Sequence, residues 1–356
     1  MTAAWPKLKP CLKAGSNLNI GQKTDPLYRK VGRVFLFGRA MIHPKAAVLT
    51  ACLLSSHCLA SPFAYVTNQG DNTVSVVDLA RNKSIATITV GEKPAGVAVA
   101  ADNSRAYVTN PVGRSVSVID PAIQKVIATI PVGSGPLGIA LHPSGNPLLV
   151  ADWYDDKIFV IDTARLAVIK TFPTGKSPSG IAFDSKGTRV YVTNRDDNNL
   201  AVFDTKNYKQ LALIATGKAP FGVTVSPDDK TLYTANVQNN SVSIIDAATL
   251  KVTATVGVQE FPYASAVDPA HQRLFVTNQH VDTVSVIDLK TNHVIKTLDV
   301  SGYPEGIMLE PGGKRIAVAN WFGDQLDMID TETLEIARSI KTGNGSRAFG
   351  LFIAPR

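Results

Sequence analysis

From about residue 63 onward, short apolar runs alternate with clusters of turn-forming residues, and the alternation is periodic. In residues 96–132, Gly96–Val99 reads as a first strand, stopped by the turn Ala101-Asp-Asn-Ser104. Ala106–Asn110, Ser115–Ile119 and Lys125–Val132 read as a second, third and fourth strand. The period-two patterns Val116-Ser-Val-Ile119 and Val126-Ile-Ala-Thr-Ile130 predict half-buried strands packed between neighbouring sheets. No stretch of the repeated region keeps a helical period over about 11 residues.

The unit recurs every 42 residues. Asn68, Asn110, Asp152, Asn194, Asn236, Asn278 and Asn320 follow one another at that step, each ending a run such as Tyr65-Val-Thr-Asn68. Asp78, Asp120, Asp162, Asp204, Asp246, Asp288 and Asp330 form a second series in phase with it. Gly96, Gly138, Gly180, Gly222, Ala264 and Gly306 form a third, whose last member reads as Gly350 after a step of 44. Four short strands in a unit of about 40 residues predict a propeller blade, and seven units predict an all-β, seven-bladed β-propeller of four-stranded antiparallel blades. The region begins on a second-type strand, Phe63–Asn68, and ends on a lone first-type strand, Ala348–Ile353. The last strand should therefore join the N-terminal blade and close the ring, leaving no open sheet edge.

The Tyr-Val-Thr-Asn runs, the Val-Ser-Val-Ile-Asp runs and the Val-Gly-x-x-Pro-x-Gly linkers resemble the YVTN β-propeller repeat family of prokaryotic surface and periplasmic proteins. The resemblance covers residues 63–356 and implies the propeller fold. It implies no single activity: similar propellers are surface-layer modules, DNA-binding periplasmic proteins, subunits like amine dehydrogenase heavy chains, accessories of haem d1 or quinone systems, or lactone-opening enzymes.

Charge and cysteine separate the leader from the rest. The chain carries a formal charge of +7, but residues 1–60 hold nine Lys/Arg and one acid, so residues 61–356 carry a net −1. A basic nucleic-acid face is therefore not expected of the repeats, although aromatic stacking on single strands remains open. Cys11, Cys52 and Cys58 all precede Ser61, which removes disulfides, thiolate metal sites and covalent c-type haem from the propeller. Met41-Ile-His-Pro-Lys45, the apolar stretch Ala46–Leu54 and Cys58-Leu-Ala60 read as a bacterial signal peptide over 41–60, cleaved before Ser61. Export to the periplasm or medium is then expected, with residues 1–40 an upstream extension or mis-start and 61–356 the propeller. Leu49-Thr-Ala-Cys52 offers lipid anchoring at Cys52 as the alternative. The apolar stretch is too short for a transmembrane span, and a monomer is expected.

Ligands of propellers usually meet the fourth-to-first linkers and the second-to-third loops, which converge on one face around the channel mouth. The recurring Asn and Asp read as turn architecture; departures from the repeat carry the functional signal. Trp153-Tyr154 and Trp321-Phe322 follow the series Asn/Asp in two blades only. The linkers contribute Phe221, Phe261, Tyr263, Tyr303 and Glu305, and the last one, read as two residues longer, adds Arg347 and Phe349. This set predicts a site for a protein or a small planar or apolar ligand, with packing between blades as the competing role. Asp71, Asp155, Asp156, Asp196, Asp197, Asp282 and Asp324 offer an oxygen-only Ca²⁺ site, against which stands ordinary solvated loop acid; no cofactor is otherwise expected. Of the histidines after the leader, His142, His271 and His293 map to the opposite-face hairpins, leaving His280. No serine nucleophile elbow, phosphate-cradling glycine loop or Cys–His–His pattern is present. The sequence thus favours a non-catalytic binding or scaffold protein. An accessory of a quinone or haem d1 redox system and a metal-dependent lactonase or lyase are the alternatives.

Overall fold

The computed structural model describes residues 62–354. The signal-peptide reading of 41–60, the lipid site at Cys52 and the extension 1–40 lie outside the described residues.

Seven sheets stand in a ring, each a radial blade whose consecutive strands pair antiparallel, and one of them also carries the C-terminal strand. One blade runs Pro178–Phe183, Arg189–Asn194, Asn199–Asp204 and Gln210–Ala215 from the axis outward. The unit analysed in the sequence folds as Gly96–Val99, Ala106–Asn110, Ser115–Asp120 and Lys125–Pro131. Among the described residues the helical element is a 3-10 turn, Gln279–Val281.

Burial grades outward along each blade. The second and third strands are buried on both faces, because a neighbouring blade covers each side. Tyr191 and Leu200 of one blade pack on Leu232 and Ile245 of the next, and the pattern repeats around the ring. Each such side chain contributes roughly 1.5–3 kcal/mol when fully buried. The third strands differ from the half-buried expectation: Ser117, Ser243 and Ser285 are as buried as the valines beside them. Their hydroxyls take the amides of Asn110, Asn236 and Asn278 at 2.9–3.0 Å, which removes the cost of burying them. The outermost strands are exposed or half-buried apart from one position near their ends, Ile130 and Leu298 in two of them.

The series Asp residues turn the chain between third and fourth strands. Asp78 accepts the N–H groups of Ala80 and Arg81 at 3.0 and 2.9 Å, and Asp246, Asp288 and Asp330 repeat the arrangement. These backbone donors hold the carboxyls of Asp246, Asp288 and Asp330 below the usual carboxylate range.

A second recurring contact joins blade to blade at the axis. Thr109 Oγ1 accepts the Gly96 N–H at 2.8 Å and donates to the Leu137 carbonyl of the next blade at 2.9 Å. Thr67, Thr193 and Thr277 reach the carbonyls of Ala95, Phe221 and Glu305 in the same way. The glycines of five linkers are explained by the same crowding: a Cβ on Gly138 would run into the Ser179 carbonyl of the adjacent blade.

The C-terminal strand closes the ring. Tyr65 donates its N–H to Phe352 at 2.8 Å, Ala354 donates to Phe63 at 2.9 Å, and Ser346 bridges Asn68. The Ala348 N–H meets Thr67 Oγ1 at 3.0 Å, the bond that Gly96, Gly180 and Ala264 make in their blades. Ala348, not Gly350, is therefore the seventh member of the third series, and the step of 42 is unbroken. The two extra residues sit after it, inside the strand. There Phe349–Leu351 bulges toward the axis and pairs parallel with Gly96–Val99.

The threonine seam gives a direct test. Thr109→Val preserves shape but leaves the Gly96 N–H and the Leu137 carbonyl without their buried partner. Chemical denaturation should show a loss of about 1–3 kcal/mol; a loss below a few tenths would remove the seam from the account of stability.

Candidate functional site

The second-to-third loops are tied to the linkers by one repeated device. In six of the seven loops a residue in left-handed conformation presents a short polar side chain to a linker N–H; Arg114 holds that position in the other. Asn72, Asp156, Asn198, Asn240, Asp282 and Asp324 have φ between 50 and 56°. They accept the N–H groups of Lys93, Ser177, Ala219, Phe261, Tyr303 and Gly345. Asn and Asp tolerate this φ better than other residues with a Cβ. The remaining candidate Ca²⁺ ligands are engaged as well. Asp71, Asp155 and Asp197 accept the N–H groups of Asn344, Ser134 and Lys176, while Asp196 takes the Ser177 hydroxyl and Arg195. Among the described residues, no three His, Cys, Asp or Glu side chains converge as a metal site.

One linker position, directly after the proline or, in the last linker, after Ser346, points inward in every blade. With the step of 42 unbroken, its seven occupants are Ala95, Leu137, Ser179, Phe221, Tyr263, Glu305 and Arg347. Ala95, Leu137 and Ser179 follow one another on one side of the channel mouth, and the aromatic and charged occupants on the other. Phe221 and Tyr263 stack at 4.0 Å between centroids, and Phe349 closes on them at 5.2 and 5.6 Å. Trp153 leans on Phe221 at 5.9 Å, with the Arg195 guanidinium over its indole at 5.5 Å. These rings plug the channel; Phe221, Tyr263 and Phe349 are buried.

Beside the plug lies an ion pair whose acid is fully buried and whose Arg347 side chain is 13% exposed. Glu305 holds Arg347 through two guanidinium nitrogens, Nε and Nη2, the latter at 3.1 Å. Gln279 donates its amide to the same carboxylate at 2.7 Å, and Arg347 Nη2 also reaches the Tyr263 hydroxyl at 2.9 Å. Burial pushes the Glu305 carboxyl up, opposed by Arg347 and Gln279. Burial also works against charge on Arg347, but the facing Glu305 carboxylate overrides it and raises the guanidinium pKa. Burial and the same carboxylate push the Tyr263 phenol well above its ordinary value.

Outside the plug, a run of rings reaches solvent. Phe261 stacks on His280 at 3.5 Å, His280 meets Tyr303 at 5.7 Å, and Tyr303 meets Trp321 and Phe322 at 5.5 and 4.7 Å. Arg347 lies under the Trp321 ring at 4.8 Å, joining this rim to the ion pair. Phe322 is 71% exposed.

The eleven residues singled out in the sequence thus divide. Trp153, Phe221, Tyr263 and Phe349 form the plug, Glu305 and Arg347 the clamp, and Phe261, Tyr303, Trp321 and Phe322 the rim. Tyr154, 69% exposed, lies against Gly135 in an early blade and joins neither group. His280 and Gln279 were not in that set. Their signal was available: they follow Asn278 as Trp153-Tyr154 follow Asp152, and they break the repeat equally.

Removing one partner of the clamp should be costly. Arg347→Met leaves Glu305 buried without its cation, a loss of about 3–5 kcal/mol near pH 7. The variant's carboxyl is raised further, so its folded-state pKa exceeds the unfolded value of about 4.3. The deficit therefore accrues as pH rises above that value and shrinks toward about pH 4. Thermal unfolding across this range tests it; a pH-independent deficit would count against a charged Glu305.

Comparison with known proteins places this architecture in a family. No curated protein matches the chain. Among solved structures, hydrazine synthase of Kuenenia stuttgartiensis is similar over 71% of this chain and 87% of that one, at 23% identity and a TM-score of 0.66. A functionally unknown protein from Desulfotomaculum acetoxidans aligns over 81% of this chain and 99% of its own, at 16% identity and a TM-score of 0.70. The dihydro-heme d1 dehydrogenase NirN, in complex with DHE, aligns over 78% of this chain and 63% of its own, at 20% identity and a TM-score of 0.62. At these identities the likeness is one of fold. The family model of the YNCE-like beta-propeller matches residues 36–356, and the chain belongs to that family.

Proposed function

We propose that this propeller is an exported, non-catalytic binding protein whose rim, Phe261, His280, Tyr303, Trp321 and Phe322, receives a flat aromatic or apolar partner. The observation that carries the reading is the combination of exposure and support. Phe322 and His280 stand in solvent, while the rings behind them rest on the Glu305–Arg347 pair. A row of aromatic side chains held from below is poor at repacking on itself and suited to stacking on a planar surface. The loop acids are taken up by linker N–H groups, which favours binding over metal-assisted hydrolysis.

The redox-accessory reading is the second one. It draws support from the rim's fit to planar rings and from fold-level likeness to a haem d1 dehydrogenase. Protoporphyrin IX serves as probe for both. Its titration should quench tryptophan fluorescence saturably, and Trp321→Ala with Phe322→Ala should weaken binding at least tenfold with the melting temperature nearly unchanged. No saturable binding, or binding indifferent to the pair, overturns the planar-ligand reading.

Export rests on the sequence pattern over 41–60. N-terminal sequencing of the protein recovered from its native host should begin at Ser61; a start at Cys52 with a blocked terminus would indicate the lipid-anchored form instead.

A further inference from the structure

The inner strands enclose a cavity of about 510 Å³, within the size range of small-molecule sites, roughly 300–1,000 Å³. Ile139, Ile181, Val223 and Ile307, one from each of four blades, line its wall together with Leu141 and Phe183. Turn residues Ala101, Pro143, Ser185 and Pro227 line its mouth. These belong to the first-to-second hairpins, so the cavity opens on the face opposite the aromatic rim. Phe349 lines the cavity and also packs in the plug, which closes the inner end.

One pair of hydroxyls interrupts this apolar wall. Thr224 donates Oγ1 to the Ser265 carbonyl at 2.8 Å and accepts the Ser265 hydroxyl at 2.9 Å. Both hydroxyl protons are thereby committed, and Ser265 Oγ accepts no hydrogen bond from the described residues. Among its side chains the wall therefore offers an acceptor and no free donor. At the mouth, Asp184 is held by the Thr188 and Arg189 N–H groups, and His142 by Ser144 and the Gly187 carbonyl. No Lys or Arg lines the cavity. An anionic head group would enter without a counter-ion, at a desolvation cost no side chain of the wall offsets.

We propose that this cavity binds a neutral lipophilic alcohol or phenol, its apolar body between the inner strands and its hydroxyl donating to Ser265 Oγ. The site is separate from the rim, and its test does not depend on the rim.

The full chain can be titrated with N-phenyl-1-naphthylamine, a neutral apolar fluorophore with one N–H. A saturable rise in fluorescence is expected, displaced by 1-decanol at concentrations at least tenfold below those of decanoate. Ala182→Phe, on the cavity wall, should weaken the fluorophore at least tenfold when made in the Trp321→Ala/Phe322→Ala background, which takes the rim out of the readout. Ser265→Ala should weaken decanol displacement roughly three- to tenfold, the loss of one hydrogen bond. No saturable signal, equal displacement by decanoate, or unaltered binding in folded Ala182→Phe each overturns the proposal. Where Ala182→Phe does not fold, undiminished decanol displacement in Ser265→Ala does so.

Discussion

Seven strands converging on one axis leave almost no lateral room, and this crowding governs the rest of the molecule. Where five of the seven linkers become inner strands, the neighbouring blade's carbonyl stands where a side chain would go, and glycine fills the position; Ala264 and Ala348 stand at the other two. That close approach lets one threonine hydroxyl serve two blades, taking an amide of its own and giving its proton to the next. A polar contact this deep would be costly if half made. Made in full, it fixes the radius at which blades meet and hence the width of the channel.

The seam threonine stands in four blades and alanine (Ala151, Ala235 and Ala319) in the other three, yet the 42-residue step delivers a single linker position to the channel mouth seven times, and its side chains are free to differ. Ala95, Leu137 and Ser179 on one side and Phe221, Tyr263, Glu305 and Arg347 on the other turn a symmetric ring into an asymmetric one. The consequence is a channel sealed at the linker face and open at the other. The Glu305–Arg347 pair belongs to this arrangement: it fills the gap between plug and rim, and its fork orients both Tyr263 and Trp321. A hydrophobic pair could pack there too, but would not set the two rings in fixed directions.

The closing strand shows how a local irregularity is absorbed. The repeat demands Ala348 at the seam, and the two surplus residues are placed beyond it, where Phe349–Leu351 bulges toward the axis. The bulge adds Phe349 to the plug and narrows the channel at that blade.

The fold was legible because every blade solves the same problem with the same residues; the three phased series report turns, seams and strand ends seven times over. The strand limits read from residues 96–132 fall within a residue of those observed. The eleven singled-out residues were legible as departures from the repeat, but their separation into plug, clamp and rim was not. That separation depends on which of two neighbouring positions points along the channel and which across the loops. A periodic sequence cannot express this, because both positions keep the same step. The burial of Ser117 and its equivalents was hidden for a related reason: a period of two marks alternate faces of a strand, while exposure depends on whether another blade covers each face. The sequence by itself determined the blade, the number of blades and the closure. Which side chains are interior, and that the open cavity faces away from the aromatic rim, were decided by the packing of seven sheets around a single axis.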